Sequence, residues 1–504
     1  MKRKIALTAT IVLLLPLWVS SQTLDDALRY SKTFYQGTAR FNGMSGAFTA
    51  LGGDISAIGI NPAAAGVFRS TEFAVTPMVL FRDLNTNYKG FGNNDSYSGF
   101  ILGQIGVVSA FGTGNSSGLT NMSLAYTFNR TNNYFRNSII DGINDDGSMA
   151  DFWALQANGY RTGELTGAPW MAYEAYLIDT LSGYLDQYAS IFSYYGDGPP
   201  TYGQQVKRTI DNAGFSNEHT IALGANISDK IYFGIGFGIT SISYSGHYVH
   251  REIDEAQRVF DFVNFTYTDH FNASGSGWNF KVGTILRPVE SLRLGFSFTT
   301  PTWYNIDEVF YNNLTAFLDN DTPNNSNDDA SPVINSDDMG YRYRITTPYH
   351  INAGIAYQIG NFGLISADYE FIDYGKARLS DGSDGYNFND ENQDMVTELG
   401  SAGTFRIGAE ARISGFYLRG GYSYTGSAFQ EGTLNENADA NGYSAGIGYR
   451  HDNFFVDMSM VWLNSYEAYM MYPDDPRSNP LYSSDPVDMF TKDKYLSFTV
   501  GLKF

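Results

Sequence analysis

"KYLSFTVGLKF", residues Lys494–Phe504, ends the chain. Leu496, Phe498, Val500, Leu502 and Phe504 share one side of this stretch, and Tyr495, Ser497, Thr499, Gly501 and Lys503 share the other. A period of two places these sets on opposite faces of a β-strand. An unbroken apolar face that ends on an aromatic residue fits the lipid-facing, closing strand of a membrane barrel. The last strand of a soluble sandwich is the competing reading.

The pattern recurs upstream. Ile231, Phe233, Ile235, Phe237 and Ile239 alternate with Gly234, Gly236 and Gly238. Leu292, Leu294, Phe296 and Phe298 alternate with Arg293, Gly295 and Ser297. Phe454, Val456, Met458, Met460 and Trp462 follow the same rule. In all, strands are expected near 71–82, 98–112, 118–130, 217–227, 230–246, 266–287, 290–301, 341–358, 361–375, 402–413, 415–427, 440–450, 453–467 and 492–504. That makes about fourteen, an even number as single-chain bacterial barrels require. The connections alternate between short turns, such as SDK, RPVES and HDN, and long segments at 83–97, 131–216, 247–265, 302–340, 376–401, 428–439 and 468–491. Short periplasmic turns and long outer loops are the asymmetry of an outer-membrane barrel. A sandwich has no reason to sort its loops. The expected fold is therefore all-β: a transmembrane antiparallel β-barrel of about 14 strands over 71–504, with a long, partly helical outer loop at 131–216. Both termini are expected on the periplasmic side.

Composition agrees. The 504 residues include 37 Tyr, 36 Phe and 53 Gly but only 15 Pro. Mean hydropathy is −0.25, as expected where alternation hides a lipid face from the average. Lys2, Arg3 and Lys4 precede the mostly apolar run Ile5–Val19, and Val19 and Ser21 suit a cleavage site. Residues 1–21 thus read as a signal peptide. The remaining chain would carry 29 basic against 53 acidic side chains, a net charge of −24, which disfavours nucleic acid as a partner. The absence of cysteine excludes lipidation at cysteine, disulfides and thiolate metal sites.

Residues 22–70 precede the first strand. Fourteen strands enclose more space than wall side chains fill, so this segment is expected to plug the lumen. Between Gly43 and Gly66 it consists mostly of small residues. Asp54 can cap a short helix, and Asn61 another with Pro62 in its first position. The stretch "GTARFNGMSGAFTALGGDISAIGINPAAAGVF", Gly37–Phe68, resembles the N-terminal hatch of the FadL family of outer-membrane transporters for long-chain fatty acids and other hydrophobic compounds. Asn61-Pro62-Ala63 matches that family's NPA motif. The resemblance implies capture of apolar ligands by outer loops, passage past the hatch (Phe48, Asp54, Gly59, Asn61, Pro62 and Ala63), and sideways release through the wall. It also implies outer-membrane lipid as surroundings, and recognition of the closing strand and Phe504 by the barrel assembly machinery.

Trp153, and Trp170, Tyr173, Tyr176, Leu177 and Leu181 at helical spacing, are candidates for ligand capture on the long outer loop. Arg406, Arg412 and Arg419 are candidate lumen charge partners, bracing the barrel among Lys281, Arg293, Asp368, Glu370, Glu410 and Asp457 or holding a ligand carboxylate. Pro77 interrupts the first strand and cannot donate to the ladder. With Gly103 and Gly106 on the second strand it marks a candidate lateral gap. The third strand, "LTNMSLAYTF", holds neither proline nor internal glycine. Two alternatives stand beside uptake: a docking or shuttle barrel in protein secretion, and a haem receptor drawing on His247 or His250. No enzyme signature, cofactor or metal ligand set is present in the sequence, and the Asp/Asn-rich loop within 302–340 lacks EF-hand spacing.

Overall fold

The computed structural model describes residues 24–194, 201–259, 261–318, 334–336, 339–382, 385–472 and 485–504. The expected signal peptide and most of the Asp/Asn-rich loop lie outside them. Fourteen wall strands close into one antiparallel barrel. They are β1 (Glu72–Tyr88), β2 (Phe91–Gly112), β3 (Leu119–Asn133), β4 (Gln204–Ile227), β5 (Ile231–Ile253), β6 (Phe262–Val289) and β7 (Leu292–Thr299 with Trp303–Leu318). There follow β8 (Met339–Thr346 with His350–Ile359), β9 (Gly363–Asp373 with Arg378–Asp381), β10 (Ser401–Ile413), β11 (Phe416–Thr425), β12 (Ala440–His451), β13 (Phe454–Tyr469) and β14 (Val487–Lys503). Each pairs with its neighbours, and β14 returns to β1 with Lys503 opposite Glu72. Every wall strand pairs on both sides over at least part of its length, the condition for strands to stand in a bilayer. No helix among the described residues is long and apolar enough to cross a membrane.

The alternation sorts as expected. Ile231, Phe233, Ile235 and Ile239 of β5 are exposed, whereas Tyr232, Gly234 and Gly236 are buried. Phe498, Val500, Leu502 and Phe504 point outward on β14, while Ser497 and Thr499 are fully buried.

Several expected connections prove to be partly strand, among them 302–340, where Trp303–Leu318 extends β7, and 247–265, where β5 runs on to Ile253. The segment 83–97 is not a loop but strand on both sides of a turn at Lys89–Gly90, both with positive φ. Likewise β4 begins at Gln204, well before the expected 217. In these last two the outward faces are mostly polar, and inward Thr86 and Arg208 stand between the buried Leu84, Tyr88, Val206 and Ile210, so no unbroken apolar period announces them.

The described amino-terminal part begins with α1 (Leu24–Ser31). Ala27, Leu28 and Tyr30 pack among Tyr134, Tyr244, Phe271 and Phe310, high on the long-loop side. Phe504 instead donates its N–H to Thr71 at 2.9 Å beside the short turns. The first described residues therefore lie toward the opposite end from the carboxyl terminus, unlike the expected arrangement. The chain then descends through α2 (Ala39–Asn42) and two 3-10 turns, Ser56–Gly59 and Pro62–Val67, before entering β1.

Candidate functional site

Residues 37–68 bond to strands on every side of the closed wall, and so fill its middle. Ala39 N–H donates to Thr499 Oγ1 at 2.7 Å on β14, and Thr49 N–H to Asp368 Oδ2 at 2.7 Å on β9. Asn121 Nδ2 on β3 donates to the Phe68 carbonyl at 2.9 Å. Arg293 on β7 donates to the Leu51 carbonyl. Inward glycines of the wall make room. A Cβ at Gly283 would stand 1.9 Å from Asn61 Oδ1, at Gly234 2.2 Å from the Pro62 carbonyl carbon, at Gly295 2.2 Å from the Thr49 oxygen, and at Gly408 2.6 Å from the Met44 oxygen. The glycines that alternate with apolar residues are the wall's contact surface for this segment.

The local turns follow from side-chain capping. Asp54 Oδ1 accepts from Ser56 N–H at 3.0 Å, and its Oδ2 accepts from Thr38 Oγ1 at 2.7 Å. Asn61 Oδ1 accepts from Ala63 N–H at 3.0 Å with Pro62 opening the turn, and Asn61 Nδ2 donates to the Thr49 carbonyl at 2.7 Å. Phe48 is buried against Phe41, ring centroids 5.4 Å apart. The Gly59 carbonyl accepts from Lys281 Nζ at 2.5 Å, and Lys281 also pairs with Glu218.

The three candidate arginines divide. Arg419 is buried between Glu410 (2.7 Å) and Asp457 (2.6 Å). Glu410 also takes a two-pronged contact from Arg40, at 2.8 and 3.1 Å. Arg419 thus anchors the central segment through a shared carboxylate. Arg412 is exposed near the short turns, over the Tyr417 ring at 5.7 Å. Arg406 pairs with Glu370, which also meets His350 at 3.0 Å, and it lines a cavity of about 1020 Å³ above the segment.

That cavity is tyrosine-rich and charged. Tyr244, Tyr248, Tyr267, Tyr469, Arg82 and Arg208 line it. Arg208 lies 5.7 Å from the ring centres of both Tyr248 and Tyr469 and donates to the Met471 carbonyl at 2.7 Å. Its Nε has no hydrogen-bond partner.

The cavity also reaches Phe34 and Asn132–Tyr134, beside a break in the wall. β2 and β3 pair from Gly112 opposite Asn121 up to Gln104 opposite Asn129, and no further. Beyond Asn129, the β3 backbone is met by the amino-terminal segment instead. Phe34 N–H donates to the Thr131 carbonyl at 2.6 Å and Gln36 N–H to the Arg130 carbonyl at 2.9 Å. The chain next crosses the inner side of β1 and β2. Phe135 stacks on Tyr97 at 4.9 Å, and Arg136–Asn144 pairs with β4. Sequence reasoning missed this departure, since β3 contains no proline or glycine. The polar run Arg130–Asn133, which ends the apolar face, was the available signal. Gly103 borders the break. Gly106 lies below it, opposite Thr127 and covered from inside by Ile55. Pro77 is one strand away, at a one-residue register shift against β2 and a two-residue lapse in pairing with β14. The bulge absorbs its missing donor.

The outer loop differs from the expected helical face. Its second helix, α4 (Gly167–Glu174), ends before Tyr176. Tyr176 takes φ +58, its N–H donates to the Tyr173 carbonyl, and Leu177 N–H reaches back to Ala172 at 2.9 Å. This Schellman closure stops the helix. Leu177 is buried, and Leu181 follows in a small hairpin of Ile178–Thr180 with Tyr188–Ser190. Trp153, on α3 (Met149–Ala157), is buried between Phe265 and Tyr267 at 5.4 and 5.3 Å. Trp170 and Tyr173 are half-buried against the same cluster. Of the six capture candidates, Tyr176 alone is fully outward, at 70% exposure. The loop mainly packs on itself and the rim.

No protein-family model matches the chain, and no curated protein matches it. Solved structures do resemble it. A Pseudomonas aeruginosa FadL homologue superposes with a TM-score of 0.54 at 12% identity, covering 94% of this chain and 99% of its own. The P. putida toluene transporter TodX does so with a TM-score of 0.52 at 11% identity, covering 94% and 99%. The chain shares the fold of these FadL-type barrels.

Proposed function

We propose that the protein is an outer-membrane transporter for uptake of hydrophobic compounds bearing a polar head, fatty acid-like in character. The carrying observation is a cavity above the central segment 37–68 that extends to the break between β2 and β3. The apolar outer belt supports placement in a bilayer, with the short turns toward the periplasm. The fold shared with a toluene transporter and a FadL homologue supports the transport class. Residues 37–68 act as the hatch, held through Asn61, Asp54 and Arg40. Ligand held in the cavity leaves sideways between Gly103 and Arg130.

A polar head follows from the lining. Arg208 and the tyrosine hydroxyls are costly to dehydrate against bare hydrocarbon. An anionic head would gain charge-assisted contacts from the arginines of the lining, Arg82 and Arg208 among them. A haem reading gains no support, as no histidine lines this cavity.

The test is extraction of the purified barrel followed by mass spectrometry. The expected result is a retained amphiphile, lost in Arg208→Leu. A stoichiometric protein partner with no bound amphiphile would instead favour a docking barrel.

A further inference from the structure

We propose that the outer face of the tall wall carries a binding site for a divalent transition metal, of the Zn2+ or Ni2+ class, built on His247 and His270. The two stand directly opposite each other on β5 and β6. Their Nδ1 atoms lie 3.0 Å apart and their ring centres 4.2 Å apart. Tyr311, opposite His270 on β7, stacks on that ring at 4.3 Å and fixes it. Asp211, opposite His247 on β4, continues the row and is exposed. One cross-strand row thus reads Asp211, His247, His270, Tyr311.

The row faces away from the lumen. The alternate residues Tyr248 and Phe271 line the cavity, and successive strand residues point to opposite faces. It also stands clear of the bilayer. The apolar outward run of β5 ends at Ile239, and Ser241, Ser243 and Ser245 separate it from His247. At ~3.3 Å per residue the pair lies roughly 26 Å further along the strand. Water and ions reach it there.

The chemistry follows from the facing nitrogens. In the metal-free pair one Nδ1 must donate and the other accept. A metal takes the Nδ1 lone pair of each ring, while the ring that donated releases its Nδ1 proton to water and takes one up at Nε2, so that both imidazoles stay neutral and no net proton is lost. Zinc–imidazole bonds of ~2.0–2.1 Å in tetrahedral geometry need nitrogens about 3.4 Å apart, a small opening from the observed spacing. Imidazole suits zinc, copper and nickel. Among the described residues no three His, Asp or Glu side chains already converge on one point. Asp211 therefore swings in as the third ligand, and water completes the shell.

The test is calorimetric titration of the untagged, detergent-solubilised barrel with zinc chloride, each variant being checked for the heat-dependent gel shift of a folded barrel. One zinc per barrel is expected. His247→Ala and His270→Ala should each weaken it at least tenfold, and Asp211→Asn severalfold. Absence of binding at millimolar zinc, or binding equally tight in both histidine variants, would overturn the site. Unchanged affinity in Asp211→Asn would overturn the third ligand.

Discussion

Asn61 Nδ2 donates to the carbonyl of Thr49, 12 residues earlier in the chain, at 2.7 Å. The same amide accepts from Ala63 N–H at 3.0 Å and is fully buried. One side chain thus ties the two halves of the central segment 37–68 together. Asn61→Ala should leave the Thr49 carbonyl and the Ala63 N–H unpaired, at about 1–3 kcal/mol each. The wall keeps its own ladder. The expected outcome is a folded barrel with raised single-channel conductance. Unchanged conductance would show that Asn61 does not hold the hatch shut.

Glu410 holds two cations, Arg40 of the central segment and Arg419 of the wall. Removing one member of a buried charge network typically costs about 3–5 kcal/mol. Glu410→Ala should therefore release the Arg40 end of the hatch. Hydrogen exchange at residues 37–46 should accelerate at least tenfold while wall strands stay protected. Equal protection in both proteins would mean that backbone packing alone retains the segment.

The outer loop should respond to pH through Asp151. Burial pushes its carboxyl up to about 7, against the hydrogen bonds from Ser190, Tyr202 and the Ser148 amide. Unfolded, it titrates near ~3.9. The folded loop therefore binds the proton more tightly. Its stabilisation is complete below the unfolded value and is lost as pH rises through 7. Over that window the loss is at most about 4 kcal/mol. Hydrogen exchange of α3, corrected for intrinsic rates, should be faster at pH 8 than at pH 5. Asp151→Asn should flatten the dependence, and a flat profile in the unaltered protein would refute the assignment.

Much of the barrel was legible because each wall strand carries its own record of two environments. Ile231–Ile239 reveals lipid on one side whatever it pairs with. The turns of the central segment were legible for a similar reason: Asp54 and Asn61–Pro62 cap their own neighbours. What failed depends on distant partners. The strand extensions above the belt face water outside and carry apolar residues only intermittently inside, as with Leu84 and Tyr88, so 83–97 resembles a loop. Tyr176 ends α4 by adopting a left-handed conformation that its residue type does not advertise. The departure of β3 from β2 arises where Phe34 and Gln36, nearly a hundred residues earlier, supply the hydrogen bonds. Pro77 and Gly106 drew attention through local chemistry, yet the break lies at Arg130.

Passage through that break can be tested with a single thiol, because the chain contains no cysteine. Arg130 stands on the freed part of β3, over the Phe215 ring at 4.5 Å. Cells carrying Arg130→Cys would be assayed for uptake of a fluorescent fatty-acid analogue before and after reaction with a bulky maleimide. Uptake should persist before labelling and fall to that of cells lacking the protein afterwards, with the barrel still in the membrane. Full uptake by the completely labelled barrel would contradict lateral transport between β2 and β3.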